Sequence, residues 1–116
     1  MNYLGVNHMK EAVLQTIKRA DFYEPVTQYE IARQCGIEPR TVRRVIRELR
    51  EEGNPILSTP QKPGGYYLAE TRHAGAMWYK QIRRKALKEL LIARIVMNSC
   101  EKLDQNGLFE GGKEND

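Results

Sequence analysis

Only two cysteines, Cys35 and Cys100, occur in the 116 residues. They are too few and too far apart for a disulfide framework, and each falls on the apolar side of an expected helix, where cysteine behaves as a small hydrophobe. Buried free thiols are the expectation, with an intermolecular disulfide or a redox switch as alternatives. The two histidines, His8 and His73, have no Cys, Asp or Glu set at metal-ligand spacing beside them, so they read as surface or capping residues and no metal or other cofactor is expected. No apolar run approaches the roughly 18 to 20 residues that cross a bilayer. The opening MNYLGVNHMK lacks the apolar core and small-residue cleavage site of a secretory signal. These absences predict a cytoplasmic protein with no membrane partner. Catalytic arrangements are missing too: no nucleophile, base and orienting group stand at a recognisable spacing, and the Pro-Gly-Gly of residues 63–65 lacks the Lys and Ser or Thr that follow in a phosphate-binding loop. An enzyme is not expected, and no small-molecule effector is evident.

What is present is charge, and it is placed. Lys and Arg number 19 against 15 Asp and Glu, giving a formal charge of +4 and a sequence pI near 9.2, which leans the molecule toward polyanions. The cations concentrate in two stretches, Arg40 to Arg50 and Arg72 to Lys88, while the last residues are acidic and Gly-rich. An apolar fraction of 41% and a charged fraction of 29% suit a helical protein with a large exposed surface. The length allows one compact domain plus an appendage.

Met9, Ala12, Val13, Ile17 and Ala20 recur at helical spacing, which predicts a first helix over residues 8–20 with Asn7 as its cap. Pro25 breaks the pattern, and Val26 suits a short edge strand. Thr27 can cap a second helix over 28–35, with Glu30 three residues on completing a capping box and Ile31, Ala32 and Cys35 on one side. Gly36 then stops that helix by adopting positive φ, Ile37 returns to the core, and Pro39 opens a third helix at the position where a missing N–H costs nothing. This third helix is predicted over 39–52, ending at Gly53. Val42, Val45, Ile46 and Leu49 form its apolar stripe, while Arg40, Arg44 and Arg47 lie opposite. Two short β-prone runs, 55–59 and 66–69, flank a turn rich in Pro and Gly and make a hairpin. Tyr66 and Tyr67 alternate along its second strand, so one packs inward and the other faces out.

The cationic side of the third helix carries the functional expectation. The major groove of B-DNA, about 12 Å wide, admits an α-helix, and guanine edges offer paired acceptors that suit a guanidinium fork. A helix with an apolar back, a forward face of arginines and a free N-terminus for phosphate meets these needs. The rival reading is a solvated face, with Glu48, Glu51 and Glu52 pairing to the arginines at helical spacing. Context favours the first: a short helix and a Gly turn precede this helix, and a hairpin follows it.

The runs TQYEIARQCGI (27–37), TVRRVIRELREEG (41–53), PILS (55–58) and GGYYL (64–68) resemble the winged helix-turn-helix domains of bacterial and phage regulators, among them the amino-terminal domain of the biotin repressor. The likeness covers roughly residues 9–69. It implies a fold that is mainly α with a small β-hairpin wing, binding double-stranded DNA, with Arg40, Thr41, Arg43, Arg44 and Arg47 on the recognition helix and Lys62 at the wing tip near a phosphate or the minor groove; Gln28, Pro39 and Tyr66 complete the set of candidate DNA-binding residues. It does not extend to a biotin-ligase domain, so neither ligase activity nor biotin sensing carries over.

Residues 71–104 read as one long C-terminal helix capped by Thr71, in which Tyr79, Ile82, Ala86, Leu90, Ala93 and Met97 recur at alternating spacings of three and four, with Cys100 continuing the line. Leu87, Leu91, Ile95 and Val96 widen that face. Gly75 near its start admits a bend or a close approach, and Trp78 reads as an anchor where the wing meets this helix. A face so broad must be covered, by a second copy in a homodimer or by the first helix of the same chain; the homodimer is the expectation. The chain thus divides into a winged domain (1–70), a dimerisation helix (71–104) and a disordered tail (105–116). A transcriptional regulator is the leading reading. The alternatives are a replication or packaging accessory factor and a protein-interaction module, since one scaffold serves several functions.

Overall fold

The computed structural model describes residues 3–105. In chain order it consists of α1 (Tyr3–Lys18), α2 (Gln28–Cys35), α3 (Pro39–Glu51), β1 (Ile56–Ser58), β2 (Tyr66–Leu68) and α4 (Arg72–Gln105). Its residues fall into two compact units, the first running through Trp78 and the second beginning at Tyr79 within α4.

The first unit is organised by α3. Every third or fourth residue of this helix is a branched aliphatic, so the 3.6-residue repeat gathers Val42, Val45, Ile46 and Leu49 on one side, and all four are buried. They meet Val13 and Ile17 of α1, Ile31 and Ala32 of α2 and Ile56 of β1 in a single core. Truncating a buried Ile or Leu of this kind to Ala costs about 2 to 5 kcal/mol. Because that whole side of α3 is committed inward, the side opposite it is turned to solvent.

The α2–α3 connection follows from local chemistry. Thr27 Oγ1 accepts from the Glu30 N–H at 3.1 Å and caps α2. Gly36 at φ 69° closes it in the left-handed region, and the Ile37 N–H donates back to the Ala32 carbonyl at 3.1 Å. The next helix starts two residues later with Pro39 in its first turn. The Gln28 side-chain Nε2 donates to the Pro39 carbonyl at 2.8 Å and ties the first turns of α2 and α3 together.

The hairpin is a two-stranded antiparallel sheet with Ile56 opposite Leu68, Leu57 opposite Tyr67 and Ser58 opposite Tyr66. Val26 forms an isolated bridge to Tyr66, through Val26 N–H to Tyr66 O at 3.0 Å and Tyr66 N–H to Val26 O at 2.8 Å, so the expected edge residue joins the hairpin. Tyr67 is buried, with the Phe22 ring edge-on at 5.9 Å. Tyr66 is half-buried, packed against the core on one side.

Three expectations are corrected, while the long C-terminal helix is found where expected. The first helix begins at Tyr3 and ends at Lys18, so Asn7 lies inside it and caps nothing, and Ala12 is exposed. The other arm of the proposed capping box is replaced: Glu30 turns its carboxylate to Arg33 and Gln34. Cys35 is half-buried beside Thr16, its Sγ 3.7 Å from Oγ1, but Cys100 is exposed, and both thiols are free. The long helix reaches Gln105, and the tail from 106 onward lies outside the described residues.

Candidate nucleic-acid interface

Arg40, Arg43, Arg44 and Arg47 all stand exposed on the side of α3 opposite the buried stripe. Two of them hold carboxylates. Arg40 Nε donates to Glu38 Oε1 at 2.9 Å, and Arg44 Nη1 to Glu48 Oε2 at 3.2 Å. Exposed pairs of this kind are worth about 0 to 1 kcal/mol, so a phosphate or a base edge displaces them at small cost. Among the described residues Arg43 and Arg47 form no ion pair. Glu52, which the rival reading would pair with these arginines, pairs with Lys10 of α1.

An open groove runs along this face, lined by Arg40, Arg43, Arg44, Arg47 and Arg50 with Ile46 and the Tyr66 of β2. At the start of α3 the Glu38 side chain makes no cap, since its carboxylate is turned to Arg40. Thr41 and Pro39 are half-buried in the same turn, and Gln28 is half-buried beside them. Lys62 is exposed in the turn between the strands.

Arg50 was not among the residues singled out from the sequence, and it joins the parts of this site. Its Nε donates to the Ile56 carbonyl at 2.9 Å, while its guanidinium lies 5.9 Å from the Tyr66 ring centroid and 5.1 Å from that of Trp78. Trp78 in turn donates from Nε1 to Ser58 Oγ at 3.2 Å, which makes it the expected anchor of the wing. Nη2 of Arg50 is buried and makes no hydrogen bond among the described residues, and burial pushes the guanidinium pKa down from its ordinary value. One signal was available: Arg50 falls four residues after Ile46, at the margin of the apolar stripe rather than on the far side.

In the second unit, Tyr79, Ile82, Ala86, Leu90, Ala93 and Met97 are all exposed, as are Leu87, Leu91, Ile95 and Val96. No helix among the described residues is long and apolar enough to cross a membrane.

A family model described as an HTH domain matches residues 10–67, from α1 through β2. Comparisons with curated proteins and with solved structures found no match. The matched span is half of the chain and contains the α2–turn–α3 unit, the hairpin and the arginine face together, so the chain belongs to the HTH domain family and is a DNA-binding protein of the winged helix-turn-helix type.

Proposed function

We propose that this protein is a sequence-specific regulator of transcription, of the bacterial or phage kind, that works in the cytoplasm as a homodimer on double-stranded DNA. The observation that carries the reading is the division of α3 into a fully buried aliphatic side and an exposed side on which Arg43 and Arg47 have no carboxylate partner among the described residues. In this reading α3 enters the major groove, Arg43 and Arg47 meet base edges, and Arg40 and Arg44 exchange their glutamates for phosphates. Thr41 and the first turn of α3 lie at the backbone, where open N–H groups and the positive end of the helix dipole favour phosphate. Gln28 keeps that turn in place through Pro39, and Lys62 carries the wing to the neighbouring phosphates, with Tyr66 at the edge of the groove.

The stripe Tyr79, Ile82, Ala86, Leu90, Ala93 and Met97 would pair two copies, so that two weak half-site contacts act as one strong site.

Selection of bound fragments from mixed genomic DNA, followed by titration of the enriched duplex, tests the reading. A two-fold symmetric sequence is expected. A good bidentate arginine contact is worth about 1 to 3 kcal/mol, so Arg47→Ala should lower the preference for the selected duplex over an unrelated one by roughly 5- to 150-fold. Enrichment of no sequence, or an unchanged preference in Arg43→Ala and Arg47→Ala, would remove α3 as the reader.

A further inference from the structure

The arginines of α2 and α3 are partly neutralised by their own helices, through Arg33 with Glu30, Arg40 with Glu38 and Arg44 with Glu48. The cations of α4 are not. Residues 80–88 contain Lys80, Arg83, Arg84, Lys85 and Lys88 and no acid at all. All five are exposed, and among the described residues none has a carboxylate within ion-pair distance. The nearest candidate, Glu89, stands four residues after Lys85 and leaves it unpaired.

Helical spacing makes this worse rather than better. Lys80 faces both Arg83 and Arg84, Lys88 faces both Arg84 and Lys85, and like charges three or four apart oppose helix formation. A segment that concentrates uncompensated charge on a helix gains when a polyanion covers it, because many counterions are released at once. Lys80, Arg84 and Lys88 follow one line up the helix, about 6 Å apart at a rise of about 1.5 Å per residue. Arg83 and Lys85 flank that line. Tyr79, Ile82, Ala86 and Leu90 lie on the other side of the same turns.

We infer that residues 80–88 of α4 form a second nucleic-acid contact, one that binds the phosphate backbone of duplex DNA without reading its sequence. This rests on the DNA-binding reading of the first unit, which supplies the duplex, and on the use of the apolar stripe to pair copies, which leaves the basic line outward. An anionic lipid surface is the competing occupant, but it would need that apolar stripe for itself.

The test compares three full-length proteins: the natural chain, a triple variant (Lys80→Gln, Arg84→Gln, Lys88→Gln) and a double variant (Arg43→Ala, Arg47→Ala). Gln keeps good helix propensity, and circular dichroism and sedimentation check that helix content and assembly are unchanged. Affinity for the selected duplex and for an unrelated one is measured from about 50 to 200 mM salt, a range over which several phosphate contacts become visible. The triple variant is expected to bind both duplexes about tenfold or more weakly and by the same factor. Its salt dependence should be shallower by about 2 to 3 in the slope of log K against log salt, at about 0.9 per phosphate contact. The double variant should instead lower the preference between duplexes. If the triple variant keeps the natural slope, or if it loses binding to phosphatidylserine vesicles while its DNA slope stays unchanged, the inference is overturned. A double variant that keeps its preference while the triple variant loses its slope would sink the reading of α3 and leave this one standing. Failure of the natural chain to bind either duplex would sink both.

Discussion

The Arg50 guanidinium sits 5.1 Å from the centre of the Trp78 ring, close enough for the ring face to attract its charge. Arg50 lies in the last turn of α3, and Trp78 lies one turn and a half into α4 with its indole N–H bonded to Ser58 of the wing. A cation near two aromatic rings and bonded to the Ile56 carbonyl therefore ties the last turn of α3 to the hairpin and to the start of α4. The arginines on the far side of α3 are positioned by apolar packing; the wing is held by Ile56 in the core, by the Val26–Tyr66 bridge and by this polar side chain.

Arg50 should tolerate replacement by a long apolar residue better than truncation. Its hydrogen bond to Ile56 favours it by about 1.5 to 3 kcal/mol, but the buried and unbonded Nη2 offsets part of that gain. Arg50→Met keeps a flexible stem between the rings and carries no orphaned donor. Urea denaturation is expected to show Arg50→Ala destabilised by about 2 to 3 kcal/mol and Arg50→Met by about half as much, from the lost bond and packing. Equal losses in the two variants would mean that the rings contribute nothing to holding this side chain.

Gln28 joins α2 to α3 by a single bond to the Pro39 carbonyl. Gln28→Ala should cost about 1 kcal/mol, which lowers the melting temperature by roughly 4 to 8 °C for a domain of this size. Gln28→Glu should cost more at neutral pH even though an acid suits the first turn of a helix, because its carboxylate would face a carbonyl oxygen with no proton between them. Thermal unfolding of the two variants checks the order; a glutamate more stable than the alanine would show that the helix dipole outweighs the lost donor.

Arg33 and Gln34 hold the Glu30 carboxyl well below the usual range, at about 2. Because the folded state lowers this pKa, the stabilisation is fully present above the ordinary carboxylate value and is lost as pH falls through about 2. NMR titration of the Glu30 side chain should place its midpoint there at low salt and move it toward the ordinary value at about 1 M salt, where exposed charges are screened within about 3 Å. A midpoint in the ordinary range at low salt would mean that the contact with Arg33 does not persist in solution.

Much of this architecture is legible in the residues because it is local. The stripe on α3, the Thr27 cap, the Gly36 stop and the alternation of Tyr66 and Tyr67 each follow from spacing within a few positions. The start of α1 is not legible: Asn7 looks like a cap, yet the helix runs through it from Tyr3, so a weak local preference yields to continuation of a helix already packed through Met9, Val13 and Ile17. Arg50 is hidden for a different reason. Its partners lie in β1, β2 and α4, and a charged letter beside four other arginines reads as solvent-facing until the hairpin is folded onto it. The stripe on α4 is legible as a repeat, but a repeat does not name what covers it, and its residues are exposed.

Gly65 lies against the loop before α2, next to the Val26–Tyr66 bridge. A Cβ there would lie 2.8 Å from Pro25 Cβ and 3.1 Å from the Val26 carbonyl oxygen, at φ +149°. Backbone and a rigid proline ring cannot step aside, so Gly65→Ala must push the hairpin off Val26 and weaken both of the hydrogen bonds that join Val26 to Tyr66. Gly64 is the control: it too has positive φ, but nothing lies within 4 Å of its Cβ position, so Gly64→Ala carries only the conformational cost of about 1 to 2 kcal/mol. Gly65→Ala is expected to exceed it by about 1 to 2 kcal/mol in urea denaturation, the scale of two weakened hydrogen bonds. It should also speed amide exchange at Val26 and Tyr66, while the amides of α3 keep their protection relative to global unfolding. If the two alanine variants lose the same stability and Val26 stays protected in both, the bridge between the loop and the wing is not what requires glycine at 65.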